Sequence, residues 1–368
     1  MLDEHWVEPG YAAPNEATYP WQWLWDSCFH SLIWAELGEG ERALTELATM
    51  FGPQDDAGFV PHMNYARDPQ ASVDLWRRRG SSSITQPPIY GHTIAALTRR
   101  GLTVPDSTIE AARRGLQFLV RDRARAAGGM IELCHPWESG ADDSPRWDSM
   151  CDGPWNQQHW RAKKMFFVAT VETNHIGSPI KNPDFAVASV GFNALVAFNI
   201  MELESVTGPT ELGAAAAELA EAIADRWDGD RLTWVDDGAT VNGSARARTA
   251  DALFASLVDP DPARAQSVAD QIADQSAFGG PCGPSGVHKA EWVYDPLTYW
   301  RGPAWPQLSY LLWIAMSQHG LADSAASLIE TTWRGAEQSG LAEYWHPDTG
   351  QGLGAIPQSW AGLALIMG

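Results

Sequence analysis

Cysteine and cationic side chains are the scarce ingredients of this 368-residue chain. Cys28, Cys134, Cys151 and Cys282 stand far apart with no C-x-x-C spacing, which excludes a disulfide framework and predicts reduced, packed thiols. Lys and Arg number 25 against 46 Asp and Glu, a formal charge of −21. A surface of that sign disfavours phosphate backbones and anionic lipid, so neither nucleic acid nor a membrane is expected as a partner. The only basic run, Arg77-Arg78-Arg79, reads as a solvated loop. No apolar stretch is long enough to span a bilayer, and residues 1–6 lack the charged and apolar regions of a signal peptide. A cytoplasmic location is the expectation.

Motifs for several chemistries are also missing. There is no H-E-x-x-H and no Cys/His quartet, so neither a metal nor a cofactor is expected. Gly-x-Ser-x-Gly is absent. The run Gly350-Gln351-Gly352-Leu353-Gly354 follows no β-rich segment and reads as a turn rather than a dinucleotide loop.

What the chain has instead is tryptophan, 19 in all, clustered at Trp21, Trp23 and Trp25, at Trp300 and Trp305, and at Trp345 and Trp360. Trp is awkward to bury whole because its N–H needs a partner. Dense Trp beside Asp26, Glu138, Asp142, Asp148, Asp295 and Glu343 therefore suggests a lined cleft, with flat rings for the C–H faces of a sugar and carboxylates for its hydroxyls. The alternative is that the rings pack helices together.

Helical periodicity recurs throughout, and runs of alternating β-branched residues are few. The clearest helix covers residues 209–227, where Leu212, Ala215, Ala216, Leu219, Ile223 and Trp227 form one stripe. Others are expected at 26–37, 41–50, 91–99, 107–127, 184–204, 249–257, 262–275, 304–319, 322–338 and 357–367. Segments apolar nearly all round alternate with segments that carry a charged face, as buried inner helices would alternate with outer ones. A closed ring of helical hairpins fits best, as one domain over residues 1–368. Long Gly/Pro/Trp-rich linkers at 51–88, 133–184 and 279–303 are where function is expected.

Two loops combine acids with rings: Trp137-Glu138-Ser139-Gly140-Ala141-Asp142-Asp143-Ser144-Pro145-Arg146-Trp147-Asp148, and Glu343-Tyr344-Trp345-His346-Pro347-Asp348. Cleavage of a glycosidic bond needs one protonated and one ionised carboxyl facing each other across it. These loops, taken with Tyr19-Pro20-Trp21-Gln22-Trp23-Leu24-Trp25-Asp26, Thr85-Gln86-Pro87-Pro88, Tyr299-Trp300-Arg301-Gly302-Pro303-Ala304-Trp305-Pro306 and Gln358-Ser359-Trp360, carry a resemblance in the right order from Tyr19 to the C-terminus. They resemble the glycoside hydrolases of the trehalase and processing α-glucosidase type, glycoside hydrolase family 63-like, most closely the bacterial mannosylglycerate and glucosylglycerate hydrolases.

That resemblance implies an all-α (α/α)6 toroid and an inverting α-glycosidase acting on a small α-glucoside or α-mannoside. Candidates are glucosylglycerate, mannosylglycerate or a short α-gluco-oligosaccharide. It implies Asp142 as general acid and Glu343 as general base, with room for one water between them. Tyr19, Trp23, Trp25, Asp26, Gln86, Trp137, Gly140, Tyr299, Trp300, Trp305 and Gln358 would contact substrate. Read without it, Asp26 is also a helix N-cap and Gln86 a turn residue, while Asp143 and Glu138 rival Asp142, hold the loop, or pair with Arg146. Arg161, Lys163, Lys164 and Lys181 are candidate anchors for an acidic leaving group. The chain starts about twenty residues before the Tyr19 motif, so the ring's first helix is expected to be absent or replaced, for instance by a partner subunit in a homo-oligomer. The competing reading is a sugar-binding toroid without turnover; the presence of both carboxyls favours the enzyme.

Overall fold

The computed structural model describes residues 1–8, 10–241 and 246–368. Eleven α-helices are found among them: α1 (Leu24–Glu36), α2 (Gly40–Met50), α3 (Val73–Trp76), α4 (Tyr90–Arg99), α5 (Asp106–Arg121), α6 (Gln157–Thr170), α7 (Val190–Thr207), α8 (Leu212–Ala224), α9 (Pro262–Ala273), α10 (Pro306–Gln318) and α11 (Ala322–Ser339). Two 3-10 segments, Ala250–Leu257 and Ser359–Ile366, stand where the periodicity predicts helices. The strands form five two-stranded antiparallel sheets, which brace loops; Gln22 pairs with Asn64 and Trp23 with Met63.

The order of packing is that of a closed ring. α1 packs on α4, α4 on α7, α7 on Ala250–Leu257, that segment on α10, α10 on Ser359–Ile366, and the last returns to α1. These six are buried nearly all round, whereas α2, α5, α8 and α11 bury one stripe each and cover the outside. The fold is the (α/α)6 toroid.

Glycine sets the spacing inside it. A Cβ on Gly91 of α4 would lie 2.1 Å from the Asn199 carbonyl oxygen of α7, and one on Gly191 would lie 2.5 Å from that of Asp251. Close approach lets polar side chains stitch neighbours: Asn199 accepts from the His92 N–H at 2.8 Å, and Asn193 both donates to and accepts from Ile131. Glu46 of α2 receives Ser27, His30 and Trp34, all from α1, so its burial is compensated.

No helix precedes Leu24 among the described residues. Instead the hairpin Trp6–Val7 with Tyr11–Ala12 leans on α1, with Trp6 edge-on to Trp34 at 5.7 Å. The segment that follows binds the last inner segment, through Ser359 N–H to Pro14 and Asn15 to the Pro357 carbonyl at 2.9 Å. The seam is thus covered by the chain itself.

Three further expectations are corrected. The helix expected to reach 127 stops at Arg121, because Ala124 donates to Ile180 and Arg125 bridges to Ile131. α6 lies inside the 133–184 linker, where no helix is expected. In the basic run Arg77 and Arg79 are exposed as expected, but Arg78 is half-buried, paired with Asp55 at 2.9 Å and over the Phe59 ring. Replacing Gly91 by Ala should cost about 1–3 kcal/mol through overpacking against Asn199, read as a loss of several degrees in the thermal midpoint.

Candidate active site

A cavity of about 840 Å³ opens at the end of the ring where inner segments begin. Trp25 and Asp26 stand in the first turn of α1, Gln86 just before α4, Trp300 before α10, and Gln358 caps the last segment. Gln358 accepts from the Trp360 N–H at 2.7 Å and donates to Asp26 Oδ1 at 3.3 Å, and Gln86 accepts from the Trp25 N–H at 3.4 Å. Asp26 is not an N-cap; Trp23 holds that position. Tyr19, Trp23, Trp25, Asp26, Gln86, Trp137, Gly140, Asp142, Tyr299, Trp300, Glu343 and Gln358 all face this cavity.

Trp305 does not. It is fully buried and stacks behind Trp300 at 3.8 Å with its planes 7° apart, so it supports the wall rather than forming it. Trp300 itself holds φ +59°, a left-handed conformation that a bulky residue adopts only under constraint from its surroundings.

The acid loop is fixed at many points. Gly140, at φ +74°, passes under Trp25, where a Cβ would come within 2.6 Å of the ring. Trp147 Nε1 donates to the Ala141 carbonyl and Trp160 Nε1 to that of Asp142. His135 accepts from Trp137 N–H through Nδ1 and donates through Nε2 to the Lys164 carbonyl at 2.9 Å, contacts that require the neutral ring; burial lowers its pKa to about 3. Glu138 accepts from Arg123 and from the N–H groups of Thr85 and Cys134. Asp143 pairs with Lys164, and Asp148 takes both ends of the Arg301 guanidinium at 2.7 Å. The expected pairing of Glu138 or Asp143 with Arg146 is therefore wrong; Arg146 pairs with Asp236 and Asp251.

Asp142 and Glu343 meet different surroundings. Asp142, half-buried, receives the Tyr299 hydroxyl at 3.3 Å. Burial pushes its pKa up to about 7, with Asp143 and Glu343 adding to the rise while Lys164 and the Tyr299 bond oppose it. Glu343 receives the Tyr19 hydroxyl on Oε1 and the Ala355 N–H on Oε2, both at 2.9 Å. Burial raises its pKa too, and those two bonds hold it down. Asp26 is likewise pushed up to about 7, by burial, against the pull of His30 and Gln358.

Glu343 is carried on a hairpin, Tyr344–Trp345 paired with Gly352–Leu353, so the glycine run expected to be a turn instead supplies the hairpin's second strand. A Cβ on Gly354 (φ +71°) would lie 2.4 Å from Glu343 Oε2. Sequence reasoning misses part of the wall, since His62, Met63, Tyr65, Leu75, Trp76 and Trp360 also line the cavity; of the candidate anchors, Arg161 and Lys164 line it as well. The placement of Trp76 inside an aromatic-bearing linker is the one signal that could have pointed to the 62–76 side. Lys163 and Lys181 are not among the lining residues, and Lys181 pairs with Glu172. Among the described residues no group of three His, Cys, Asp or Glu is placed to hold a metal, and all four cysteines are free. No helix there is long and apolar enough to cross a membrane.

Known proteins share this architecture. The mannosylglycerate hydrolase of Rubrobacter radiotolerans is 28% identical over 419 residues, covering 100% of this chain and 94% of the relative. The glucosylglycerate hydrolase of Mycolicibacterium hassiacum is 26% identical over 415 residues, covering 95% and 91%. In fold, the crystal structure of a GH63 mannosylglycerate hydrolase from Thermus thermophilus with Tris and D-glycerate matches with a TM-score of 0.86 at 23% identity, over 100% of this chain and 97% of that one. The family model for the mannosylglycerate hydrolase MGH1-like glycoside hydrolase domain matches residues 19–361. The chain belongs to that family and is a glycoside hydrolase.

Proposed function

We propose that this chain, acting as one catalytic domain, hydrolyses mannosylglycerate, glucosylglycerate or a short α-gluco-oligosaccharide with inversion at the anomeric carbon. Asp142 acts as general acid and Glu343 as general base. The observation that supports this reading is that two carboxyls 201 positions apart face one cavity, each with different hydrogen-bond donors. Asp142 keeps its proton close to neutral pH and gives it to the departing oxygen. Glu343, oriented by Tyr19 and Ala355, takes a proton from the water that attacks the opposite face. Atoms balance: water adds across the C–O bond, its hydroxyl to the sugar and a proton to the leaving group.

Asp26, Gln86 and Gln358 are placed to receive ring hydroxyls, with Tyr19, Trp23, Trp25, Trp137, Gly140 and Trp300 around the sugar and Tyr299 beside the scissile bond. Trp305 serves by backing Trp300. Of the four cations considered for an acidic leaving group, Arg161 has the best position, exposed on the cavity wall. The relatives named for glycerate glycosides support that class of substrate.

Three outcomes are expected. Asp142→Asn and Glu343→Gln should each lower kcat/KM by about 100- to 10,000-fold, and proton NMR of the first product should show the β-anomer. Tight sugar binding without turnover in the unmutated protein, or release of the α-anomer, would defeat the proposal. The kcat/KM profile should be a narrow bell. Its basic limb lies near pH 7, where Asp142 ionises and no longer donates; its acid limb lies above the ordinary glutamate value, where Glu343 takes up a proton and no longer accepts one. Gly354→Ala should cost about 100-fold in kcat, with a smaller change in KM, because the new methyl displaces Glu343.

A further inference from the structure

α6 touches the acid loop at three points, more than is needed to cover it. Trp160 donates to the Asp142 carbonyl at 3.0 Å. One turn later Lys164 accepts from His135 through its backbone, and its ammonium reaches Asp143 Oδ1 at 2.5 Å. That ammonium is buried and lies 5.5 Å from the Trp137 ring centroid. Lys164 and Asp143 both face the same cavity as Asp142. On the far side Arg301 donates to the Asp143 carbonyl at 3.4 Å, but its charge is engaged by Asp148.

From this arrangement we propose that Lys164, through its ion pair with Asp143, is a positioning residue that governs proton retention at Asp142. The inference rests on Asp142 being the general acid. The charged and titratable groups around that carboxyl are Tyr299, Tyr19 and Glu343 across the cavity, Asp143 beside it in sequence, and Lys164 with the exposed Arg161 from α6. Burial and the neighbouring anions favour the protonated form. Lys164 is the cation that sets a ceiling on that effect, and its attraction outweighs the repulsion from Asp143. Between buried groups such charges act more strongly than they do in water. The pair compensates the charge beside the acid, which is held near neutrality rather than far above it.

The test is the basic limb of the kcat/KM profile for a substrate whose leaving group needs a proton. Lys164→Met should move that limb up by about one pH unit and Asp143→Asn should move it down by a smaller amount. Lys164→Arg should restore the original position. Asp143→Asn/Lys164→Met leaves no unpaired buried ion, so it guards against simple misfolding, and its limb should move up, by less than in Lys164→Met. Limbs that stay fixed, or move the same way in the two single variants, overturn the inference while leaving the acid assignment intact. Full activity in Asp142→Asn overturns the acid assignment itself, and the inference with it.

Discussion

A ring of helices can enclose a site only if its first and last inner members meet, and here that junction governs the rest. α1 and Ser359–Ile366 are joined by His30 to Ser359, by the packing of Gly362 on Ile33, and by the N-terminal strand that ties Pro14 and Asn15 to the same segment. The junction places Gln358 against Asp26 and Tyr19 against Glu343, across separations of 332 and 324 residues. Both contacts lie within the cavity wall, so closing the ring and assembling the site are one event.

The electrostatic pattern follows the same division. Carboxylates that hold the loops each have a cation: Glu138 has Arg123, Asp143 has Lys164, Asp148 has Arg301, and Asp236 with Asp251 share Arg146. Asp26, Asp142 and Glu343, which face the cavity, have no ion-pair partner among the described residues and rely on hydroxyls, amides and backbone N–H groups. Neutral donors leave a buried carboxyl near its balance point; a close guanidinium would hold it ionised at any working pH. The scarcity of basic residues in the composition is thus matched by their placement at structural pairs.

Much of this was legible because burial writes itself into hydropathy. The alternation of all-apolar segments with one-faced ones predicts the inner and outer helices, and the acid-plus-ring loops predict most of the lining. What the sequence hides has physical reasons. Ala250–Leu257 is buried at every residue and Ser359–Ile366 at all but one, so neither shows the one-sided stripe that would separate 3.0 from 3.6 residues per turn, and both read as α-helices. α6 buries only Trp160, Lys164 and Phe167, and one member of that stripe is a lysine, which no hydropathy pattern counts. Partner choice is equally silent: Arg146 lies three residues from Asp143 yet pairs across the fold. The position of Trp305 behind Trp300 depends on stacking between two identical side chains, which composition cannot order.

The tie between the N-terminal strand and the last inner segment also bears on how the protein is made. Asn15 waits for a carbonyl 342 residues downstream, and the hollow lacks part of its wall until Gln358 and Trp360 have been synthesised. Contacts so distant carry a large loop-closure entropy and form late. A nascent chain on the ribosome therefore holds Trp25 without Trp360, its partner across the junction, for most of translation, a period in which that apolar surface is open to chaperones or to aggregation.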